Sequence, residues 1–295
     1  VIPAITVLEM PPIGMFLGEA NMLIKRVNSS INGLIKKMTE ICFLGTGGSV
    51  ATVERDNTSF LIRQADDLIL VDCPGSVVQK VKKLNLEPGD IQTILVTHIH
   101  PDHVYGLPSF IHSLMLTECQ VDLYGSERTI NFCHRFLDLF HLLDKKIQCR
   151  VRFFSLEPDQ DFGLGNSIQC SAMKVPHNES SLAFGFHFNT SGQSLFYSGD
   201  TPVFPPLFES ASGADFLIHD CSAPSRFFRE FPELKTKHAN PKELGRYAQE
   251  AGIKSLIPCH FFGELEFSIV EIEREIRENY SGKLIFPEDF MRIAL

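Results

Sequence analysis

At 295 residues with 44% hydrophobic side chains, the chain is long enough for one large domain or two small ones, and too apolar to be disordered as a whole. Its formal charge of -9 excludes a broad basic face for gripping nucleic acid, although a local patch or bound dications can still meet a few phosphates. The 8 cysteines contain no close CxxC pair and a chain of this length needs no disulfide staples, so reduced thiols and a cytoplasmic location are expected.

Residues 1–37 stand apart from the rest. The apolar run Met10 to Gly18 is broken by Pro11 and Pro12 and flanked by Glu9 and Glu19, so nothing approaches the roughly 20 apolar residues of a membrane span. No basic region precedes it, as a secretory signal would require. Met38 makes a natural start. The segment 1–37 therefore reads as an extension of unknown role, either a clasp on a partner subunit or an upstream reading of the gene, and the folded domain is expected over 38–295, without a membrane partner.

Ile41 to Leu44 reads as a short buried strand. The turn Gly45-Thr46-Gly47-Gly48-Ser49 that ends it lacks the Gly-Lys-Ser/Thr of a phosphate-binding loop and is expected to need unusual backbone angles. Ser59 to Ile62 and Leu68 to Val71 form a hairpin joined at 65–67, closed by Asp72-Cys73-Pro74-Gly75. Val77 to Leu84 is a short amphipathic helix. Ile91 to Val96 is a strand running into Thr97-His98-Ile99-His100-Pro101-Asp102-His103, and Leu107 to Leu116 is a helix. After a strand at Val121 to Tyr124, Glu127 to Leu143 is a helix whose Phe132, Phe136, Phe140 and Leu143 are expected to pack into the core. Further strands are expected at Val151 to Leu156, Ile168 to Val175, Leu182 to Phe188, Ser194 to Ser198, Phe216 to Ile218, Ser255 to Ile257 and Leu284 to Phe286. Asn240 and Pro241 begin a helix to Glu250, and Phe267 to Tyr280 is a charged amphipathic helix. Ser225-Arg226-Phe227-Phe228-Arg229 interleaves aromatics with charge, and packing is preferred over nucleotide contact. The mixture is of the α+β kind, with helices covering sheets on outer faces.

The chemistry concentrates in His98-x-His100-x-Asp102-His103. In an extended stretch, residues i and i+2 point the same way, so His98 and His100 can reach one ion together. A turn after Pro101 can swing Asp102 and His103 toward a neighbouring ion. Burying four such groups without metal would leave a costly desolvation uncompensated. Strand-end acids and imidazoles recur at Asp200, His219 and His260, and near His177, as expected where an active site is assembled at one sheet edge. His177, Asp200 and His260 can close the coordination shells.

These residues, in this order, resemble the metallo-β-lactamase superfamily from about residue 39 to the C-terminus. The resemblance implies a four-layer αβ/βα sandwich with two divalent metals between the sheet edges, zinc first, with manganese or iron as alternatives. It places His98, His100 and His177 on one metal, Asp102, His103 and His260 on the other, and Asp200 between them. Within the superfamily the chain is similar to ribonuclease Z, the endonuclease that trims precursor tRNA. Thr97 to Pro108 resembles that family's first metal motif, and Ala214 to Asp220 its strand ending in His-Glu-Ala-Thr. His238 stands where the family has a histidine that assists the leaving group, with Asp220 or His219 to orient it; His219 alternatively holds a ligand's geometry. A hydroxide shared by the two metals and oriented by Asp102 would attack phosphorus, or a carbonyl carbon if the substrate is an ester.

Three departures stand out. Phe261-Phe262-Gly263-Glu264-Leu265 replaces the family's Phe-Ser-x-Arg-Tyr, Asp220-Cys221-Ser222 replaces Glu-Ala-Thr, and no glycine-rich basic arm lies between Gly125 and Asn166. The expected function is phosphodiester hydrolysis on RNA or a small phosphodiester, with a thioester, lactone or other carbonyl ester as the rival substrate for the same metals. The resemblance also implies a homodimer.

Overall fold

Alternation decides the layers. In the first strands every second side chain faces a different core: Ile41, Phe43, Phe60, Ile62, Ile69 and Val71 lie between two sheets, whereas Cys42, Leu44, Leu61, Leu68 and Leu70 meet helices on the outside. The computed structural model describes residues 39–295 except 65, 66, 166 and 190. The expected extension at 1–37 and the hairpin joint at 65 and 66 lie outside the described residues.

The first sheet comprises β1 (Thr39–Gly45), β2 (Ser59–Gln64), β3 (Asp67–Val71), β4 (Thr93–Leu95), β5 (Gln120–Ser126), β6 (Arg150–Leu156) and β14 (Arg292–Ala294), in the order β14-β1-β2-β3-β4-β5-β6. The second comprises β7 (Asp161–Leu164), β8 (Ile168–Lys174), β9 (Leu182–Phe188), β10 (Gln193–Tyr197), β11 (Phe216–Asp220), β12 (Ser255–Cys259) and β13 (Lys283–Leu284), in sequential order. Each sheet is antiparallel at one end and parallel at the other, the parallel half running β3 to β6 in one and β10 to β13 in the other. Helices Val77–Lys83, Leu107–Ser113 and Glu127–Leu139 cover the outer face of the first sheet; Pro205–Ser210, Pro241–Glu250 and Ile269–Arg277 cover that of the second. This is the αβ/βα sandwich that the family resemblance implied. Among the described residues, no helix is long and apolar enough to cross a membrane.

Aromatic rings fill the space between the sheets. Phe60 meets Tyr197 edge-on with centroids 5.0 Å apart, joining the two sheets, and Phe184, Phe186 and Phe188 of β9 are fully enclosed. Each such ring contributes about 1.5–3 kcal/mol by leaving water. The helix at Pro241–Glu250 begins as its sequence indicates, with the Asn240 side chain accepting from Glu243 N.

Three expectations need correction. The glycine turn after β1 does not use left-handed angles: Gly45 and Gly47 have ordinary φ, and what Gly45 supplies is room, because a Cβ there would collide with the backbone carbonyl of Asn57. β7, pairing with β8, and β14, pairing with β1, were not anticipated. The phenylalanine row is not core: the helix ends at Leu139 and buries Thr129, Ile130, Cys133 and Leu137, leaving Phe132 and Phe140 exposed. A helix carrying two apolar stripes can give only one of them to a sheet.

Candidate dinuclear metal centre

The parallel halves of the two sheets end at the same edge, and the chain is stitched across the gap there. Leu182 N donates to Thr97 O at 3.1 Å, and His260 N donates to Thr46 O at 3.0 Å. Thr97 to His103 follows β4, Asp200 follows β10, Asp220 closes β11 and His260 follows β12. Gly199 lets the chain turn before Asp200: its φ is +57°, and a Cβ there would press on Leu182 O at 3.0 Å. His260 itself adopts φ +64°, an unusual conformation for a side-chain-bearing residue and one found often at functional positions.

Seven side chains gather into two overlapping clusters. His98 Nε2 and His177 Nε2 approach His100 Nδ1 at 2.9 and 3.1 Å, and both lie 3.8 Å from Asp200 Oδ2. Pro101 opens a single helical turn, Pro101–Val104, that swings Asp102 and His103 the other way. His103 Nε2 then lies 3.4 Å from Asp102 Oδ2 and 3.3 Å from Asp200 Oδ2, while His260 Nε2 lies 3.4 and 3.1 Å from the same two oxygens. Within each cluster the candidate ligand atoms are all within 4.8 Å of one another, and Asp200 belongs to both. This is the arrangement of a dinuclear metal-dependent hydrolase.

The chemistry of the donors fits cations. A neutral imidazole has one N–H, and Nδ1 of His177 donates its proton to Lys237 O at 2.9 Å, leaving Nε2 as a bare lone pair facing His100. Asp200 Oδ1 and His103 Nε2 are buried with no hydrogen-bond partner among the described residues. Burial lowers His98 well below the ordinary imidazole range, with the neighbouring His103 adding to the effect, and burial likewise lowers His100 and His177. These three rings are therefore neutral and ready to ligate. Burial pulls His103 and His260 down as well, but Asp200, with Asp72 and Asp102, outweighs it for His103 and lifts it well above its usual value. Asp200 and Asp102 similarly raise His260 to about 10. Conversely, burial would raise Asp102 and Asp200, yet the His103 and His260 charges hold both below the carboxylate range. The two carboxylates bring negative charge into this second cluster, which a cation held there would balance.

Asp72 was read in the sequence only as the end of a strand. It is fully buried, with its carboxylate 2.8 Å from His103 Nδ1, and accepts from Thr97 N at 2.8 Å, Thr97 Oγ1 at 3.0 Å and Tyr197 OH at 3.3 Å. Since Nδ1 must donate to the carboxylate, Nε2 is turned toward the cluster. The signal that finds Asp72 is register: β3 pairs in parallel with β4, setting Val71 beside Leu95, so the residue after each strand reaches the same edge. Asp72→Asn is expected to weaken metal affinity by ~10–100-fold with little change in fold. Chelator competition measures it, and unchanged affinity would show that the carboxylate charge does nothing for His103.

His238 lies beside both clusters. Its Nδ1 is 2.8 Å from Asp220 Oδ2, its ring stacks on His260 with centroids 5.3 Å apart, and His177 is 5.1 Å away. His219 does not join them. Alternation on β11 puts it on the outer face with Leu217, where its ring lies on Phe208 and its Nδ1 donates to Asp220 O at 2.8 Å. Of the two, Asp220 is the residue that His238 contacts, while His219 reaches only the Asp220 backbone. Phe262, marked in the sequence only as a departure from the family's Phe-Ser-x-Arg-Tyr, meets His238 edge-on with centroids 4.9 Å apart. Arg226 pairs with Glu271 at 2.9 Å and lies over Phe227, while Phe227 and Phe228 are buried, so this stretch packs as expected.

The family model for the anti-Pycsar protein Apyc1 matches residues 39–257. Ribonuclease Z from Methanosarcina mazei is 24% identical over an alignment covering 88% of this chain and 98% of that protein. The metallo-beta-lactamase fold protein YhfI from Bacillus subtilis superposes with a TM-score of 0.74 at 19% identity, covering 88% of this chain and all of its own (100%). The short form of human tRNase Z superposes with a TM-score of 0.70 at 21% identity, covering 86% and 98%.

Proposed function

Because the chain belongs to the anti-Pycsar protein Apyc1 family, within the metallo-β-lactamase superfamily, we propose that this metal-dependent hydrolase is a phosphodiesterase acting on a small phosphodiester or on RNA. One observation carries the reading: the His238–Asp220 pair stands against both metal clusters, where a leaving oxygen needs a proton. On this reading His98, His100 and His177 hold one ion, Asp102, His103 and His260 the other, and Asp200 both. Zinc suits these donors, with manganese or iron as substitutes. The hydrolase unit is residues 38–295, acting as a homodimer.

When bound, such a cation pair lowers the pKa of water and neutralises charge gathering on phosphoryl oxygens. The protein's own residues do the rest. Asp102 accepts a hydrogen bond from the attacking water and so aims it. Asp220 fixes His238 through Nδ1, so that Nε2 serves the leaving oxygen as its acid. Phe262 walls the His238 side and keeps bulk water from it.

A small diester fits better than a large folded RNA. Between Gly125 and residue 166 the chain forms helix Glu127–Leu139, β6 and β7, with no projecting arm among the described residues. Two of the basic residues there are committed: Arg152 grips Asp122 with both nitrogens, at 2.7 and 2.5 Å, and Arg150 donates to Ile147 O. Turnover on bis-p-nitrophenyl phosphate and a 2′,3′-cyclic nucleotide is expected to exceed that on a 3′-extended tRNA precursor, an acyl thioester and a lactone. Turnover of the thioester or lactone without turnover of any diester would sink the reading. His238→Ala is expected to keep its metals and to slow the cyclic nucleotide by ~100-fold, with far less slowing for the p-nitrophenyl ester, whose leaving group needs no proton. Equal slowing of the two would remove the acid role.

A further inference from the structure

Of the seven candidate ligands, His260 alone holds a left-handed backbone, with φ +64°. A side-chain-bearing residue persists in that region only where its surroundings over-determine it. Here the surroundings come from the other sheet. Thr46, just after β1, offers its carbonyl to His260 N at 3.0 Å and to Phe261 N at 3.3 Å, and Gly48 N donates back to Phe261 O at 2.7 Å. The direction from which the His260 ring enters the second cluster therefore depends on where Thr46 stands.

Thr46 is itself held by its side chain. It is fully buried, and its Oγ1 accepts from Arg55 Nη1 at 2.6 Å and donates to Asp289 Oδ1 at 3.1 Å. The same Arg55 nitrogen donates to Pro287 O at 2.7 Å, and the guanidinium lies 4.9 Å from the centre of the Phe261 ring. Asp289 Oδ2 accepts from Asp56 N at 3.0 Å and pairs with Lys80 at 2.9 Å, while Lys80 also meets Asp56 at 3.2 Å and the carbonyl of Leu44. The segment carrying Pro287 and Asp289 is fastened to β1 in turn, by Phe290 N donating to Phe43 O at 2.7 Å and Phe43 N to Met291 O at 3.0 Å. Two cations and two anions are thus partly withdrawn from water behind one metal ligand, and the proposed hydrolysis uses none of them. Desolvation offsets much of the attraction in such a network, so stability alone accounts poorly for it.

We propose that Arg55, acting through Thr46, is a positioning residue for the metal ligand His260. Its Nη1 fixes the Thr46 hydroxyl and its plane fixes the Phe261 ring, so one rigid group holds both sides of the crossing between the sheets. Among the described residues, no hydrogen bond joins His98, His100 or His177 to Arg55, Thr46 or Asp289. Loss of the guanidinium therefore weakens the second ion and spares the first. The inference rests on the dinuclear reading and on no step of hydrolysis.

Zinc affinity of the full chain, measured by chelator competition in two backgrounds, tests it. His98→Ala leaves Asp102, His103 and His260 to hold one ion, and His260→Ala leaves His98, His100 and His177. Arg55→Met should weaken zinc by at least ~10-fold in the first background and by no more than about 2-fold in the second. Thr46→Val should behave as Arg55→Met does, and Thr46→Ser, which keeps the hydroxyl, should stay within about 2-fold of its background. A network that only supports the fold would weaken both backgrounds alike; that result, or unchanged affinity in both, would overturn the proposal. If Arg55→Met loses its far-UV circular dichroism, the Thr46 pair decides between the same outcomes. A parent that binds no zinc would overturn the dinuclear reading as well, whereas equal weakening of both backgrounds removes the role of Arg55 alone.

Discussion

Asp200→Ala is expected to strip the protein of most of its metal and to lower phosphodiester turnover by on the order of 10³–10⁴-fold, about 4–6 kcal/mol in activation free energy. The argument rests on position. Oδ2 of Asp200 lies between 3.1 and 3.8 Å from Nε2 of His98, His103, His177 and His260, so four imidazoles from distant parts of the chain share one carboxylate oxygen. The carboxylate is also the charge that lifts His103 and His260, and its removal takes negative charge from both clusters at once. Elemental analysis of metal per chain, read beside initial rates, measures the effect. Asp200→Asn keeps the shape and loses the charge, and should fall almost as far. Near-normal metal content and turnover in either variant would mean that the two clusters do not share this residue. The thermal transition serves as the control for folding.

The second large effect concerns one cluster only. His98→Ala removes a fully buried ring that faces His100 at 2.9 Å and Asp200 at 3.8 Å, while Asp102, His103 and His260 keep their places. The expected result is about one metal lost per chain and turnover lower by on the order of 10³-fold, because a nucleophile prepared by two ions is left with one. A variant that kept full metal and full rate would remove His98 from the ligand set. Comparison of the two substitutions is informative in itself: the shared carboxylate should cost both ions, the imidazole one.

Some of this was legible in the residues before any coordinates. Strands announced themselves through alternation, and β9 falls on Leu182–Phe188 as read. Asn240-Pro241 marked a helix start because capping is decided by a few neighbouring atoms. The HxHxDH run pointed to metal because the spacing of His98 and His100 in an extended segment is a local property. The run supplies both clusters, with a proline-opened turn between their two members, as the single turn at Pro101–Val104 now shows.

Other features were not legible, each for a physical reason. Asp72 is an ordinary strand-end acid until parallel pairing of β3 with β4 sets it under His103. His219 and Asp220 are neighbours in sequence, but a strand sends them to opposite faces, and only the placement of the helices tells which face holds the chemistry. The phenylalanine row at 132, 136 and 140 satisfies helical spacing as well as the buried stripe at 130, 133 and 137 does. Burial depends on which stripe the sheet meets. β14 gains its partner from the far end of the chain, so nothing near Arg292 could reveal it.

The sequence by itself determined the donors, their local geometry and the period of each element, because these depend on contacts within a few residues. The tertiary structure decided which donors meet, which face of β11 turns toward His238, and which stripe of helix Glu127–Leu139 stays in water. Those outcomes depend on register and layer packing between segments far apart in the chain, and such long-range choices leave no local mark.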